Sequence, residues 1–291
     1  MSFGKSSNPV ISVGMPVRNA WPFLESAVQS IKKQSFKEWE LIIADDGSCD
    51  NAIGKLPKKI LQDPRIRILR FHRQGGIALR LNQILRQARG QFFARMDADD
   101  ISHPKRFEAQ LAFLKNNPKI DVVGCSCLLI DEKNRPIGRY DYPRLHSEIC
   151  ERPWWLILLA HPTWMGRTAW FRQNPYANPA PYRCEDQELL LRTFRSSRFH
   201  NIARQYLGYR QPGSGRIYPI LKTRISLLKV QQKNFFMARE QKNLIYSALV
   251  TIPKILKDLL ALGGVSQAPS ANINPVLRGW KVSSPIPEWL R

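Results

Sequence analysis

Short apolar runs alternate with longer segments of helical periodicity through the first half of the chain. The runs predict strands at 10–15, 39–44, 66–69, from 92 onward and at 122–130. The periodic segments predict helices at 21–34, 76–89 and 104–117. This alternation predicts an α/β fold, with a mostly parallel sheet flanked by helices and with ligands bound at the carboxyl ends of the strands.

Three carboxylates, Asp97, Asp99 and Asp100, follow the fourth apolar run. Alternate side chains of an extended backbone share a face, so Asp97 and Asp99 can converge on one point with their backbones roughly 6–7 Å apart. Oxygen donors placed in this way suit a hard divalent cation such as Mg²⁺ or Mn²⁺. In the alternative interpretation, Asp100 and Ser102 cap the free N–H groups of the next helix.

Two further strand ends carry polar residues, at 15–19 and at 45–50. Pro, Asn, Gly and Asp are ordinary turn residues, so each segment alone could be only a turn. Carboxylates at two carboxyl ends of the same predicted sheet are harder to explain by turns. Together they favour a ligand site at this edge.

The composition fits a folded, intracellular protein. A chain of 291 residues with 43% hydrophobic residues is long enough for one large domain or a domain with an appendage. Its five cysteines are an odd number, and Cys125 and Cys127 lie in a strand-like run, so we expect core cysteines rather than disulfides or a zinc site. The first apolar run is too short for a signal peptide, and we expect a cytoplasmic protein.

The net charge of +22 comes from 45 Lys and Arg against 23 Asp and Glu. The excess is uneven, because only Glu240 and Asp258 are acidic between positions 191 and 260. Such a basic region attracts an anionic polymer or an anionic surface. Nucleic acid and membrane both meet this requirement.

Six segments together resemble the family 2 glycosyltransferases, which have the GT-A fold. The segments occur in the family's order at 10–20, 39–48, 75–82, 94–100, 161–163 and 185–192, and the resemblance covers about residues 10–210. The resemblance implies an inverting, metal-dependent enzyme that transfers a sugar from a nucleotide-sugar donor, most simply a UDP-sugar. The acceptor would be a glycan or glycolipid of cell-surface polysaccharide or lipopolysaccharide synthesis.

The resemblance also implies roles for the donor-side residues. Asp97-Ala98-Asp99 is similar to the family's Asp-x-Asp motif, in which one carboxylate lies near the ribose and Asp99 holds Mn²⁺ or Mg²⁺ against the diphosphate. Asp45 corresponds to the residue that binds the nucleobase, while Arg18 reaches the same pocket or a phosphate. The other nucleotide-sugar-binding residues would be Pro16, Val17, Asp46 and Asn82.

On the acceptor side, the resemblance makes Asp186 the general base that removes the acceptor's proton, with Glu185 as the alternative. The same acidic residues would also favour the N-terminus of a helix. His161 would lie near the acceptor, although a lone histidine beside a proline can be purely structural.

We expect a GT-A catalytic domain at 1–215, with a nucleotide-sugar half at 1–130 and an acceptor half at 131–215. Residues 216–264 are expected to form a basic amphipathic helical extension, and 265–291 a loosely ordered tail in which Trp280 and Trp289 could dock. The extension could bind the inner face of an anionic membrane, pack onto the catalytic domain, or pair with another subunit as a homo-oligomer.

Two other classes remain as alternatives. A nucleic-acid-binding protein would use the basic second half, but it would leave the Asp97 and Asp186 motifs without a purpose, and no nucleic-acid-binding module is recognisable. We therefore expect no nucleic-acid partner. A non-catalytic partner subunit would not need the complete set of carboxylates.

Overall fold

A mixed sheet forms the centre of the molecule. The computed structural model of the protein describes residues 8–211, 217–262 and 287–290. Within these ranges the sheet has nine strands: β1 (Ile11–Val17), β2 (Trp39–Asp46), β3 (Ile66–Phe71), β4 (Phe92–Arg95), β5 (Ile101–Ser102), β6 (Val122–Ile130), β7 (Pro136–Tyr140), β8 (Met165–Arg167) and β9 (Phe199–Arg210).

The strand order is β3-β2-β1-β4-β8-β6-β9-β5, and β7 pairs with β6. The first four strands in this order are parallel, as the alternating pattern predicts. Beyond them, β8 is antiparallel to both β4 and β6, and β5 and β7 are also antiparallel to their neighbours. The fold is therefore α/β as predicted, with a mixed second half that brings distant segments beside β4.

Helices cover both faces of the sheet. They are α1 (Leu24–Lys32), α2 (Lys58–Leu61), α3 (Gly76–Gln87), α4 (Arg106–Asn116), α5 (His146–Ile149), α6 (Thr168–Gln173), α7 (Glu185–Thr193), α8 (Ile217–Met237) and α9 (Gln241–Leu262). The three helices predicted in the first half are confirmed. The first of them begins later than predicted because the backbone N–H of Trp21 donates to Asp50 Oδ2 at 2.8 Å, which holds that residue in a loop.

The parallel strands are buried on both faces, which explains their nearly continuous apolar runs. One core packs β1 and β2 against α1 and α4, and the other packs β2 and β4 against α3 and α6. Gly14 lies where β1 meets the second core. A Cβ there would come within 2.4 Å of Phe93 Cζ, so the strand needs a glycine at this position.

The cysteines are free, and Cys125 and Cys127 are buried in β6. The prediction of core cysteines is therefore confirmed. Burial raises the pKa of the Cys125 thiol to about 11, so this thiol is neutral at physiological pH.

The two long C-terminal helices form a hairpin that packs onto the preceding part of the chain through α8. The buried side chains of α8 include Leu221, Val230 and Phe235. Gln231 Nε2 donates to the carbonyl oxygens of residues 153–155 at 3.0–3.3 Å. Of the three arrangements expected for this extension, α8 therefore adopts the one in which it packs onto the preceding α/β part of the chain.

A short 3-10 turn, Glu288–Leu290, lies against the edge of the sheet. Leu290 is buried, and the Trp289 ring lies 5.0 Å from that of His103. Docking of Trp289 is thus confirmed. The rest of the predicted loose tail, including Trp280, lies outside the described residues. No helix in the described ranges is both long enough and apolar enough to span a lipid bilayer.

Candidate active site

The carboxyl ends of β2, β1 and β4 lie side by side. In the sheet, Val17 of β1 lies opposite Asp45 of β2, and Gly14 of β1 lies opposite Arg95 of β4. The segments that follow these strands therefore reach the same edge of the sheet. The loops after β1 and β2 are also bonded to each other: Asn19 N donates to Ser48 Oγ at 3.1 Å. The predicted nucleotide-binding segments are therefore neighbours in space.

The residues expected to bind the nucleotide differ in exposure. Val17 is buried, Pro16 is half-buried and Arg18 is exposed. Asp45 is half-buried, and its Oδ1 accepts a hydrogen bond from the backbone N–H of Ser48 at 3.0 Å. This bond orients the Asp45 carboxylate at the end of β2.

Asp46 and Asn82, two other predicted nucleotide residues, make their bonds within the protein. The carboxylate of Asp46 accepts from the backbone N–H groups of Gly75 and Gly76 at 2.7 and 2.9 Å, and from Arg80 Nε at 2.6 Å. Asp46 therefore binds the N-terminus of α3, which begins at Gly76 as expected. Direct contact of Asp46 with a nucleotide stays a prediction.

The Asn82 side chain joins α3 to the loop before α7. Its Nδ2 donates to the carbonyl oxygen of Tyr176 at 2.9 Å, and its Oδ1 accepts from the Tyr176 N–H at 3.0 Å. This pair of bonds fixes the backbone of Tyr176, whose side chain is buried. A nucleotide contact by Asn82 likewise stays a prediction.

Asp97, Asp99 and Asp100 converge beyond the end of β4. One carboxylate oxygen from each lies within 4.8 Å of the others. Ala98, between the first two, is buried. Burial, and then the charge of Asp97, raises the pKa of Asp99 to about 6, and the same two causes raise the pKa of Asp100 well above its ordinary value. The triad is therefore a site where negative charge is costly unless a cation is near.

The interpretation of Asp100 and Ser102 as helix caps is wrong. The next helix, α4, begins at Arg106 and has no side-chain cap. Asp100 Oδ1 instead accepts from the backbone N–H of Arg210 in β9 at 2.9 Å. Its Oδ2 is buried without a hydrogen-bond partner. An unsatisfied carboxylate oxygen beside two more carboxylates fits a hard divalent cation.

Two arginines hold this acidic segment in place. Arg95 is buried, and its Nη1 lies 2.6 Å from Asp97 Oδ2. Arg210 Nε donates to the carbonyl oxygen of Asp99 at 2.7 Å. Sequence reasoning missed both. Arg95 did give a signal, because it shares a strand face with Asp97 and Asp99, whereas Arg210 comes from far along the chain with no local pattern to mark it.

Glu185 and Asp186 begin α7, so the expected helix-start role of these acidic residues is confirmed. Glu185 is buried, and its burial, followed by the charge of Asp186, raises its pKa to about 7. Burial also raises the pKa of Asp186. A carboxylate with a raised pKa can accept a proton near neutral pH, as a general base must.

His161 lies between Glu185 and Tyr176. Its Nδ1 is 3.7 Å from Glu185 Oε1, too far for a hydrogen bond, and its Nε2 is 2.8 Å from the Tyr176 hydroxyl. Burial, and then the charge of Arg95, lowers the pKa of His161 well below its ordinary value, so the ring is neutral. The structure thus places His161 beside the Glu185–Asp186 pair, and Tyr176 is a further residue that sequence reasoning missed.

The carboxylates that follow β4 and those that begin α7 interact electrostatically. Burial dominates the raised pKa of Glu185, and the charge of Asp97 adds to it. The charge of Arg95 opposes burial at both Asp99 and Asp186. The groups that follow β4 and begin α7 are therefore close enough to influence one another, and we call the region between them the acidic cleft. A cavity of about 420 Å³ between α1, β5 and Trp289 is lined by none of these carboxylates.

Fold and site together define a GT-A glycosyltransferase architecture. Residues 12–174, more than half of the chain, match the profile described as Glycosyl transferase family 2, and the chain belongs to this family. The protein named EpsE of Bacillus subtilis is 37% identical over 129 residues, which cover 44% of this chain and 46% of EpsE. The chain thus spans less than half the length of that relative.

Another relative covers more of both chains. The O-antigen biosynthesis glycosyltransferase WbnJ of Escherichia coli is 30% identical over 206 residues, or 69% of this chain and 79% of WbnJ. Family membership accounts for the Asp97 and Asp186 motifs, which the nucleic-acid-binding alternative leaves unexplained.

Solved structures share the fold at low sequence identity. TarS of S. aureus in complex with UDP-GlcNAc superposes with a TM-score of 0.62 at 17% identity, covering 86% of this chain and 72% of that one. The mannosyltransferase PcManGT of Pyrobaculum calidifontis in complex with GDP-Man and Mn²⁺ gives a TM-score of 0.62 at 15% identity, covering 92% and 78%.

Proposed function

We propose that this chain is an inverting, metal-dependent glycosyltransferase that uses a UDP-sugar. The observation that carries the proposal is the convergence of Asp97, Asp99 and Asp100 beyond β4, with Glu185 near enough that the charge of Asp97 adds to its raised pKa. One set of carboxylates suits the donor's metal and diphosphate, and the other suits the acceptor's proton. Sugar transfer needs both.

The donor would lie across the ends of β2, β1 and β4. Asp45 would accept the N3–H of a uracil, and the segment Pro16–Arg18, which lies beside it in the sheet, would line the same pocket. TarS binds UDP-GlcNAc and PcManGT binds GDP-Man, so relatives of this fold take either nucleotide. We favour a uridine nucleotide because the segment that contains Asp45 resembles the family's nucleobase-binding segment.

Asp99 and Asp97 would hold Mn²⁺ or Mg²⁺, with the free oxygen of Asp100 beside them. The bound ion would neutralise the negative charge that grows on the diphosphate as the glycosidic bond breaks. Arg95 would keep Asp97 oriented through its 2.6 Å ion pair. The presence of Mn²⁺ in the PcManGT complex supports the choice of metal.

Asp186 would take the proton of the acceptor hydroxyl as that oxygen attacks the anomeric carbon. Attack opposite the leaving diphosphate inverts the configuration. Glu185, its neighbour at the start of α7, would keep negative charge near the base and is the alternative proton acceptor. The neutral His161 and the Tyr176 hydroxyl would fix the wall of the acceptor side.

The acceptor would be a glycan or a lipid-linked glycan of cell-surface polysaccharide synthesis. WbnJ, which acts in O-antigen biosynthesis, supports this class. Because a lipid-linked acceptor is held at a membrane surface, we place the protein at the cytoplasmic face of a membrane as a peripheral enzyme.

Isothermal titration of the full chain with UDP-glucose, UDP-GlcNAc and GDP-mannose, each with and without Mn²⁺, tests the proposal. We expect one UDP-sugar to bind in the micromolar range only when Mn²⁺ is present. Absence of binding by every nucleotide sugar, or tight binding that ignores the metal, would contradict it. Preference for GDP-mannose would overturn the choice of uridine alone.

A further inference from the structure

The outward face of α9 is apolar. The exposed side chains on this face are Ile245, Tyr246, Leu249, Ile252, Leu256, Leu259 and Leu260, and each is between 42% and 63% exposed. At 3.6 residues per turn they cover an arc of about 140° along most of the helix. The face is therefore one continuous apolar stripe rather than scattered residues.

The inward face of α9 joins polar buried side chains to half-buried apolar ones, among them Leu244, which packs against the second core. Ser247, Thr251 and Asp258 are the buried side chains of this face. Ser247 Oγ accepts a hydrogen bond from Gln232 Nε2 at 2.7 Å, and Asp258 Oδ2 lies 2.8 Å from Arg224 Nη1. Polar bonds thus help to hold α9 onto α8, while the leucines and isoleucines of the exposed stripe point away from the protein and Tyr246, at its edge, lies 5.5 Å from the Trp154 ring.

This arrangement reverses the usual one for a surface helix, which buries its apolar stripe and exposes its polar face. Continuous exposed apolar patches on a folded chain mark a site of interaction with a partner. The polar bonds to α8 fix the orientation, so the stripe cannot turn inward without breaking them. The stripe therefore requires an apolar partner.

Charges beside the stripe indicate the kind of partner. Lys242 and Lys257 are exposed and flank it on the helix surface. The two acidic residues of the hairpin are already paired, Glu240 with Arg195 at 2.5 Å and Asp258 with Arg224. The described part of the hairpin thus carries uncompensated positive charge. A second copy of the same face would bring like charges together, whereas an anionic lipid surface would bring opposite ones.

We propose that the outward face of α9 inserts into the interface of an anionic bilayer, with the helix axis along the membrane plane. Leu249, Leu256 and their neighbours enter the acyl boundary, and the flanking lysines contact lipid phosphates. The inference concerns a surface away from the cleft. It stands or falls independently of the proposed transfer reaction.

Co-sedimentation of the full chain with sucrose-loaded vesicles tests this proposal. Vesicles of phosphatidylcholine alone are compared with vesicles that contain phosphatidylglycerol as a minor component. We expect strong partitioning onto the mixed vesicles, weak partitioning onto phosphatidylcholine, and loss of binding at high salt as the lysine contribution is screened.

Two variants separate the apolar and charged contributions. The double substitution Leu249→Ser with Leu256→Ser should lower the vesicle partition coefficient by roughly tenfold or more. Lys242→Glu with Lys257→Glu should lower it on anionic vesicles only. Matched controls are Ile137→Ser with Leu145→Ser, which are 47% and 55% exposed elsewhere, and Lys115→Glu with Lys119→Glu. We expect the control variants to bind like the unmodified chain.

Three results would overturn the proposal. The first is an unmodified chain that stays in the supernatant with anionic vesicles. The second is a Leu249→Ser, Leu256→Ser variant that still sediments with them. The third is a chain that forms a dimer by analytical ultracentrifugation and becomes monomeric in that variant, because the stripe would then be covered by a second copy.

Discussion

The acidic cleft and the α8–α9 hairpin use the same residue types in opposite ways. At the cleft, charged groups such as Arg95, Asp100 and Glu185 are buried among apolar strands. On α9, charged and apolar side chains are both at the surface, and the helix keeps its polar bonds inside. Burial raises the pKa of the carboxyl groups and so prepares them for proton transfer or metal binding, whereas exposed apolar residues favour association. Under the two proposals above, the first region serves catalysis and the second serves docking.

Substitution of Asp99 by Asn should have the largest effect on the acidic cleft and no effect on the hairpin. The metal loses a charged ligand, so we expect Mn²⁺-dependent affinity for the nucleotide sugar to fall at least about 100-fold. Vesicle binding should not change. Isothermal titration and co-sedimentation on the same preparation measure both, with the exposed Asp141→Asn variant as a control. Unchanged Mn²⁺-dependent affinity in the Asp99 variant would remove the metal assignment.

Substitution of Asp186 by Asn tests whether donor binding and proton removal depend on different carboxylates of the cleft. The amide cannot accept the acceptor's proton, so kcat should fall by roughly 10²–10⁴ while donor affinity stays within a few fold. The comparison variant, Glu185→Gln, should lose less activity. Steady-state kinetics measure kcat, and calorimetric titration of the donor measures its affinity. Full turnover by the Asp186 variant would make Glu185 or another group the base.

Truncation of one leucine in each region compares their contributions to stability. Leu81 of α3 is fully buried, so Leu81→Ala should lower the free energy of unfolding by about 2–5 kcal/mol. Leu249 of α9 is 63% exposed, and Leu249→Ala should change it by less than about 0.5 kcal/mol. Urea unfolding without lipid measures both. A large loss at Leu249 would mean that its side chain is covered in solution.

The pH dependence of stability is the smallest expected effect. The pKa of Glu185 is raised from 4.5 to about 7 in the folded chain, so its stabilising contribution is fully present below about pH 4.5. It is lost as the pH rises through about 7. Glu185→Gln should therefore match the unmodified chain near pH 4.5 and be more stable at pH 8, by of order 1–3 kcal/mol.

Urea unfolding at the two pH values, with exposed Glu151→Gln as the control, checks this expectation. The same pH dependence in the unmodified chain and in the Glu185 variant would show that Glu185 is not the group responsible.

Much of the fold was predictable because its signals are local. The apolar runs of β1, β2 and β6 and the periodicity of α3 and α4 predicted those elements within a few residues. The short strands β5 and β8 were not predicted, because two or three residues carry no periodicity. The antiparallel insertion of β8 beside β4 depends on packing between distant segments, which no local pattern records.

The residues of the candidate site were likewise predicted where they lie in a local motif and missed where they depend on distant partners. Asp97, Asp99, Glu185 and Asp186 were found because each lies in a short motif at an element's end. Tyr176 and Arg210 were missed because their places depend on bonds to partners far along the chain, such as Asn82 and Asp100. The periodicity of α9 predicted a helix, but only the structure shows that its apolar face points outward.

Anomalous diffraction at the manganese edge, from crystals grown with Mn²⁺ and UDP, tests the central claim most directly. The account predicts one strong peak coordinated by the Asp99 carboxylate, between the triad and the diphosphate, with the uracil beside Asp45. A nucleotide bound at that edge without manganese, or manganese bound away from Asp97 and Asp99, would contradict it.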